Sequence, residues 1–582
     1  MKPIYTFFFI ASILLFSNKS SAQKWIWARQ STFLGPNPDF SIAGTRGMAS
    51  GINGDLFTVN DLAGFNNNFI YFGPFMIPLN KHFCAINRYD SSGNLRWVKT
   101  PYGIPRTLSA ENVATDMEDN VFVSGYFTDT AYFDTYRIID STTFGNYYLV
   151  KYDSAGNVRW IKTSADSNSN RIRYLQTDKQ GNVYYTGAFM MNQYVLDKDT
   201  LTNATAFLPG FLNHFDLFIA KFDTSGKVVW AKSAGGIGDE YPTAVTMDKY
   251  KDSYVAGTFT SPVFNLGTYS FSASPSATTN TFLVKYDSVG NVKWAKQYKD
   301  IYIDGLAADS SGLLYISGHF TADTVVFDTK QLVNSSHDTS DILIAAYTND
   351  VFAWVKSYGT RKYESPYACN MTLDALGKPW VCITISADTV VLDKDTIIVP
   401  HGPTSIVKDF QVALLQFGSQ GDIECSVALP RGGGNEHYRA LTADDRGYVY
   451  FGASFVGDHI GDQFYLGTAD TLVATGDEDI FIAKLQPCKM PARTSVNNPA
   501  NTSDLVIYPN PAYDRFTIQY SGAINNNAKI ELYNISGTLM YSASITNEKT
   551  VISTSGLAAG MYICKLVQDG YEPAYKKLMI IH

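Results

Sequence analysis

The segment KYDSAGNVRWIK (Lys151–Lys162) decides the reading of this chain, because it returns. It recurs as RYDSSGNLRWVK (Arg88–Lys99), KFDTSGKVVWAK (Lys221–Lys232) and KYDSVGNVKWAK (Lys285–Lys296). Worn copies are AYTNDVFAWVK (Ala346–Lys356) and LQFGSQGDIECSV, where Cys425 stands in the tryptophan's place. A second segment alternates with the first: DNVFVSGYF ending at Phe127, GNVYYTGAF at Phe189, DSYVAGTF at Phe259, GLLYISGHF at Phe320 and GYVYFGASF at Phe455. Trp27, Trp97, Trp160, Trp230, Trp294, Trp354 and Cys425 follow one another at intervals of 60 to 71 residues, a mean of about 66.

Each interval reads as four strands, here lettered a to d. Strand a ends in Asp, b is the Gly-Asn-Val-Tyr segment, c is the run typified by FLVKYD, and d carries the tryptophan. D-x-x-G turns join a to b and c to d: the Asp side chain bonds the backbone just after it, and Gly takes the positive φ of a bulged hairpin. Four antiparallel strands at a fixed period predict a β-propeller, in which each blade buries its faces against its neighbours. The ends set the count. KWIWARQ, at Trp27-Ala28-Arg29, is a strand d with no a to c before it, and Ile480–Leu485 is a strand c with no d after it. Together they complete one blade, giving seven in a ring without free edges; an open array with frayed ends is the alternative.

Composition agrees with an all-β chain. Of 582 residues, 45% are apolar and 14% aromatic, with 38 Tyr, 36 Phe and 44 Gly. Charge is 46 basic against 54 acidic, a net of −8 without a basic block, which excludes a counterion-releasing nucleic-acid binder. Near the N-terminus Lys2 precedes the apolar run Ile4–Phe16, too short to span about 30 Å of bilayer. It reads as a signal peptide (1–22) cleaved between Ala22 and Gln23, making the mature protein exported and soluble, extracellular or on the outer-membrane surface. Export permits disulfides, but the six cysteines are too dispersed for a framework and lack C-x-x-C spacing. Cys369 and Cys382 flank one turn, and a three-residue bulged loop there sets Cys382 opposite Asn370, so no bridge between them is expected.

The D-x-x-G-x-x-x-W repeats with F-x-x-K-Y/F-D resemble the bacterial SBBP-type β-propeller repeats over Trp25–Leu485. The resemblance fades in blades five and six, at Asn349 and Cys425. Pyrroloquinoline-quinone propellers are also similar, but their adjacent Cys-Cys pair is absent and that family is rejected. Residues 488–504 read as a linker after a propeller spanning 23–487. Beyond it, alternation with regular turn signals predicts a small Ig-like β-sandwich over 505–582. Tyr508-Pro509-Asn510-Pro511, the turn at Gly537, and Gly560-Met561-Tyr562 make this segment similar to the C-terminal sorting domains of type IX secretion cargo in Bacteroidota. That resemblance implies the Sec machinery and the type IX apparatus as partners, and attachment to surface lipopolysaccharide, or release, after removal of the domain.

Candidate sites are few. One tryptophan per blade on strand d is a packing pattern rather than a sugar platform, and the W-x-K lysines are expected to lay their stems over the blade edge. The turn acids Asp90, Asp153, Asp223 and Asp287 supply too few oxygens for calcium. No metal, cofactor or catalytic constellation is expected: the eight histidines form no H-E-x-x-H, and no nucleophile elbow or phosphate loop occurs. The d–a and b–c connections share one mouth, where Asp239, Glu240, Asp304, Glu364 and Glu436 could line a pocket for a cation or a polar ligand, against the plainer reading of solvated loop acids. The expected function is binding of a glycan or protein at the surface. Polysaccharide hydrolysis or lysis, which needs carboxylates about 5–10 Å apart, and a structural part in surface or gliding machinery are the alternatives.

Overall fold

The computed structural model describes residues 25–34, 42–63, 69–78, 83–104, 108–140, 145–163, 171–178, 180–205, 214–335, 340–359, 368–385, 389–392, 395–398, 411–429, 439–455, 463–466, 470–473, 475, 479–486, 505–520, 527–534, 538–568 and 574–581. Signal-peptide residues Ala22 and Gln23 lie outside them. The chain divides into two compact units, Met1–Cys488 and Lys489–His582. The described residues are β-strands and turns, with one short 3-10 turn at Ile52–Gly54.

In the first unit the antiparallel order a-b-c-d occurs seven times. The fourth sheet is typical: a Glu240–Met247, b Ser253–Phe259, c Asn280–Tyr286 and d Val292–Lys299. Strand c is buried at every position, because sheets pack on both of its faces, so its sequence runs apolar without alternation. Its one cation, Lys285, survives burial by touching Asp350 at 2.7 Å, Asp248 at 3.2 Å and Asp252 at 3.3 Å, above the ring of Tyr254. The strands a touch in sequence around the unit, and that of the first sheet (Ile42–Ser50) also touches that of the seventh (Arg439–Ala443). There Ser50 Oγ donates to Ala443 O at 2.7 Å, as Thr115 Oγ1 does to Ser50 O and Thr177 Oγ1 to Thr115 O.

The opening strand Trp25–Leu34 completes the seventh sheet, pairing with the last strand c, Asp479–Leu485. Trp27 faces Lys484 and Ala28 faces Ala483. The same strand then runs on to pair Ser31–Leu34 with Phe69–Phe72 of the first repeat.

The tryptophans link neighbouring sheets. Each of five indole N–H groups donates to a carbonyl in the c–d turn of the next sheet: Trp27 to Ser91, Trp97 to Ser154, Trp160 to Thr224, Trp230 to Ser288 and Trp354 to Ser419. The turn Gly serves two ends here. Gly290 has φ +88°, and a Cβ on it would stand 2.8 Å from the Trp230 ring. In the fifth sheet Asn349 and Asp350 instead form a tight turn at φ 49° and 68°, a conformation Asn and Asp tolerate better than other side chains. The turn acids behave as expected: Asp90 Oδ1 accepts from the N–H groups of Ser92 and Asn94, which hold its pKa below the usual range despite partial burial.

Two expectations need correction. Each repeat holds six strands rather than four, because the b–c connection carries its own hairpin, such as Gln193–Leu196 with Asp199–Thr202 or Thr324–Phe327 with Lys330–Val333. The W-x-K lysines do more than cover apolar surface: Lys99, Lys162 and Lys296 meet the hairpin-turn acids Asp134, Asp197 and Asp328 of the next repeat at 3.3, 3.3 and 2.6 Å. Among the cysteines, Cys382 is free and faces Asn370, as the bulged loop predicts. Cys425 is disulfide-bonded, which the absence of a framework leaves open.

The second unit has a three-stranded sheet (Leu505–Tyr508, Arg515–Tyr520, Lys549–Ser553) and a four-stranded one (Leu539–Ser544, Lys529–Asn534, Gly560–Val567, Ala574–Ile580). Phe516, Ile518 and Ile552 from the first and Ile530, Leu532, Cys564 and Leu578 from the second share one core.

Candidate functional site

The seven strands a surround a cavity of about 460 Å³. Their register against strand b slips by one residue in six sheets, and the residues so displaced are Arg46, Glu111, Arg173, Thr243, Asp304 and Cys369. A bulge bends its strand and re-aims the extra side chain, which makes it a device for furnishing a site from a regular repeat. Arg46, Glu111 and Asp304 line the cavity, with Asn112, Gln176 and Asn370.

Two of these charges are anchored. Arg46 Nε meets Asp61 Oδ2 at 2.9 Å, while Asp61 Oδ1 accepts the Ala110 N–H at 3.1 Å. Desolvation raises the Asp61 pKa against that pairing. Asp61 stands where other repeats have Tyr126, Thr258 or His319, so the first and fifth sheets each pair the bulged residue of strand a, Arg46 or Asp304, with the same position of strand b. On the fifth sheet Asp304 Oδ2 lies 2.7 Å from His319 Nδ1, and the Tyr302 ring stacks on the imidazole at 4.7 Å and 3°. His319 is 5% exposed. In sequence the residue before the final Phe of the second segment varies (Tyr126, Ala188, Thr258, His319, Ser454), and His319 is one of these. The available signals were Val59-Asn60-Asp61-Leu62 replacing the usual S-G-x-F, and a lone His beside an acid-bearing strand a.

The other expected residues are placed as follows. Asp239 and Glu240 do not line the cavity. Asp239 Oδ1 accepts the Phe215 N–H at 2.9 Å and lies 3.2 Å from His214 Nδ1. Glu240 is fully buried, accepting from the Gly236 N–H and from Ser261 Oγ. Glu364 and Glu436 lie outside the described residues. Among the described residues no group of three or more His, Cys, Asp and Glu is placed to hold a metal ion.

Burial raises Glu240 to about 8, and buried Asp216 close by, whose Oδ1 has no hydrogen-bond partner, to about 7. Both carboxyls bind protons more tightly folded than unfolded. Their stabilising contribution is therefore whole below about pH 4 and is lost as pH rises through 7 to 8. The denaturant midpoint is expected to fall between pH 5 and pH 8, and Glu240→Gln to flatten that fall. The depressed turn acids, Asp90 among them, act below this window, with opposite sign. Lys484, lowered to about 8 by desolvation, acts above it.

In the second unit Tyr508-Pro509-Asn510-Pro511 holds down the last strand. Asn510 Nδ2 donates to Lys577 O and its Oδ1 accepts the Met579 N–H, both at 2.8 Å, and Ala512 bridges to Ile580 in parallel. Tyr562, opposite Leu578 near the start of its strand, donates to Ala558 O at 2.8 Å. Gly560 opens that strand, and Gly537 lies outside the described residues.

Residues 506–581 match the family described as the secretion system C-terminal sorting domain. The chain is thus a secreted or cell-surface protein bearing a sorting domain of the type IX route. An uncharacterised WD repeat-containing protein of Acanthamoeba polyphaga mimivirus is 28% identical over 168 residues, 26% of this chain; the chain spans only 12% of that relative's length. Among solved structures, PorZ, a surface component of the type IX secretion system of Porphyromonas gingivalis, is similar at TM-score 0.27 and 9% identity, over 92% of this chain and 81% of that one. Hydrazine synthase of Kuenenia stuttgartiensis has TM-score 0.37 and 11% identity over 70% and 92%. A protein of unknown function from Dyadobacter fermentans has 0.35 and 9% over 79% and 99%. At such scores these likenesses carry no argument about function.

Proposed function

We propose that this is a non-enzymatic surface or secreted binding protein. Its first unit (23–487) is a closed seven-bladed β-propeller of the SBBP-repeat kind, and its last (505–582) an Ig-like sandwich joined by the linker 488–504. The protein leaves the cell by Sec and then type IX export in a member of the Bacteroidota, and loses the sandwich when it is attached to lipopolysaccharide or released. The axial cavity takes a polar ligand such as a glycan or a polar protein segment.

The observation supporting this reading is the set of bulged strands a, which bring charged and amide side chains to one axial cavity while the same strands elsewhere pack in regular register. Arg46 and Asp304 are already held by Asp61 and His319, so they meet a ligand as oriented groups, which lowers the ordering cost of binding. Among the described residues of the expected mouth set, Asp304 lines this cavity and Asp239 and Glu240 do not, so the binding role proposed here rests on Asp304.

A glycan-array screen of the mature chain, followed by titration of the best ligand, tests the reading. Asp304→Asn is expected to weaken binding about tenfold, the order of one lost charge-assisted hydrogen bond. Turnover of a polysaccharide that disappears in the same variant would replace binding with catalysis.

A further inference from the structure

Among the seams where both a strand-d lysine and the first residue of the next hairpin turn are described, one lacks the contact between them. Lys99, Lys162 and Lys296 each meet an acid at the first position of the following hairpin turn. Those acids, Asp134, Asp197 and Asp328, hold φ of 51°, 49° and 52°. Between the third and fourth sheets the lysine is retained as Lys232, but the turn residue is Gly267, at φ +63°. The carboxylate is missing, and a cavity of about 300 Å³ lies there, lined by Lys232, Ser233, Gly267, Thr268 and Val292. No acid among the described residues pairs with Lys232.

The preceding seam shows what such a space accepts. Asp197 Oδ1 takes a hydrogen bond from Lys162 Nζ at 3.3 Å, and its Oδ2 takes one from the Val228 backbone N–H at 3.0 Å. Val228 opens strand d of the third sheet as Val292 opens strand d of the fourth, so the ammonium and the strand-opening residue are both retained. Only the carboxylate supplied by the chain itself is gone. An ammonium and an amide N–H directed at one point form a carboxylate receptor, since charge-assisted bonds of this kind are stronger than neutral ones. The volume is at the lower end of small-ligand sites and suits one compact acidic group.

We propose that the cavity beside Lys232 binds a carboxylate carried by another molecule, taking the place of the aspartate found at the neighbouring seams. The shared chemistry has two sources, a uronic acid of a polysaccharide or an acidic side chain of a protein. The site lies at the seam between the third and fourth sheets and does not depend on the axial cavity.

The test is titration of the mature chain with D-glucuronate against D-glucose, and with acetyl-Gly-Asp-Gly-amide against its Asn counterpart, followed by calorimetry. Saturable binding of either acid with at least tenfold preference over its neutral partner is expected, and the arm that binds assigns the source. Lys232→Met is expected to abolish that preference. Gly267→Asp returns the carboxylate in cis and is expected to abolish binding as well; its Cβ would stand 2.9 Å from Val292 Cγ2, so an unchanged β-sheet circular dichroism spectrum, and not a gain in stability, separates a filled site from a damaged fold. Absence of preference in both arms, or undiminished binding by Gly267→Asp, overturns the proposal.

Discussion

Removal of Trp25–Leu34 is expected to abolish cooperative folding of the repeat unit. Without that strand, Asp479–Leu485 loses one whole ladder of partners, and Ile482, Ala483 and Leu485, all at most 2% exposed, come to lie beside an open edge. Such an edge is a template for association between chains, so aggregation accompanies the loss. The strand is held from both sides. Gln30 exchanges two 2.8 Å hydrogen bonds with the Val473 backbone of the seventh repeat, and Trp27 donates to Ser91 O of the first. A graded version is Trp27→Ala, which removes a 6% exposed indole packed against Gly93 and Tyr450 and is expected to cost about 3–5 kcal/mol. Denaturant unfolding of the mature chain checks both. A single transition at the wild-type midpoint in the deleted chain would show that the opening strand holds nothing together.

The second large effect concerns delivery. A chain ending at Asp504 is expected to remain in the periplasm, with the fraction outside the cell falling at least tenfold, because residues 506–581 are the part that matches the sorting domain. The repeat unit has its own cores, so the shortened protein should still fold, and the defect should be one of location alone. Immunoblots of periplasm, outer membrane and medium measure this; undiminished export would remove the sorting role. Asn510→Ala is the local version. Exposed Asn510 makes two of the bonds that hold the final strand, so partial loss of export is expected through a loosened C-terminal edge.

Much of the organisation was legible because it repeats. The tryptophan interval gave the period, the D-x-x-G turns gave two hairpins per repeat, and the orphan strands at the two ends gave the partners Trp27 and Lys484 that are found side by side. The b–c hairpins were missed for a physical reason. Segments such as TVVFDTKQLV are short, diverge between repeats, and in three cases use Asp (Asp134, Asp197, Asp328) rather than Gly at positive φ, so the usual turn signal is muted. The pairing of W-x-K lysines with those turns was hidden with them, since its members lie some 30 residues apart on different sheets.

The local sequence determined by itself that this chain is built of short antiparallel strands with tight turns, that one tryptophan per repeat is a packing element, and that the C-terminal segment carries sorting motifs. These follow from side-chain periodicity and turn chemistry, which act over a few residues. Which acids meet was decided only by tertiary structure. Asp304 met His319 and Asp61 met Arg46, while Glu240 was closed into the core between two backbone segments. A bulge turns one side chain toward the cavity that the strands a border without changing the hydrophobic pattern around it, and a missing partner such as the one opposite Lys232 becomes visible only when neighbouring repeats are brought together in space.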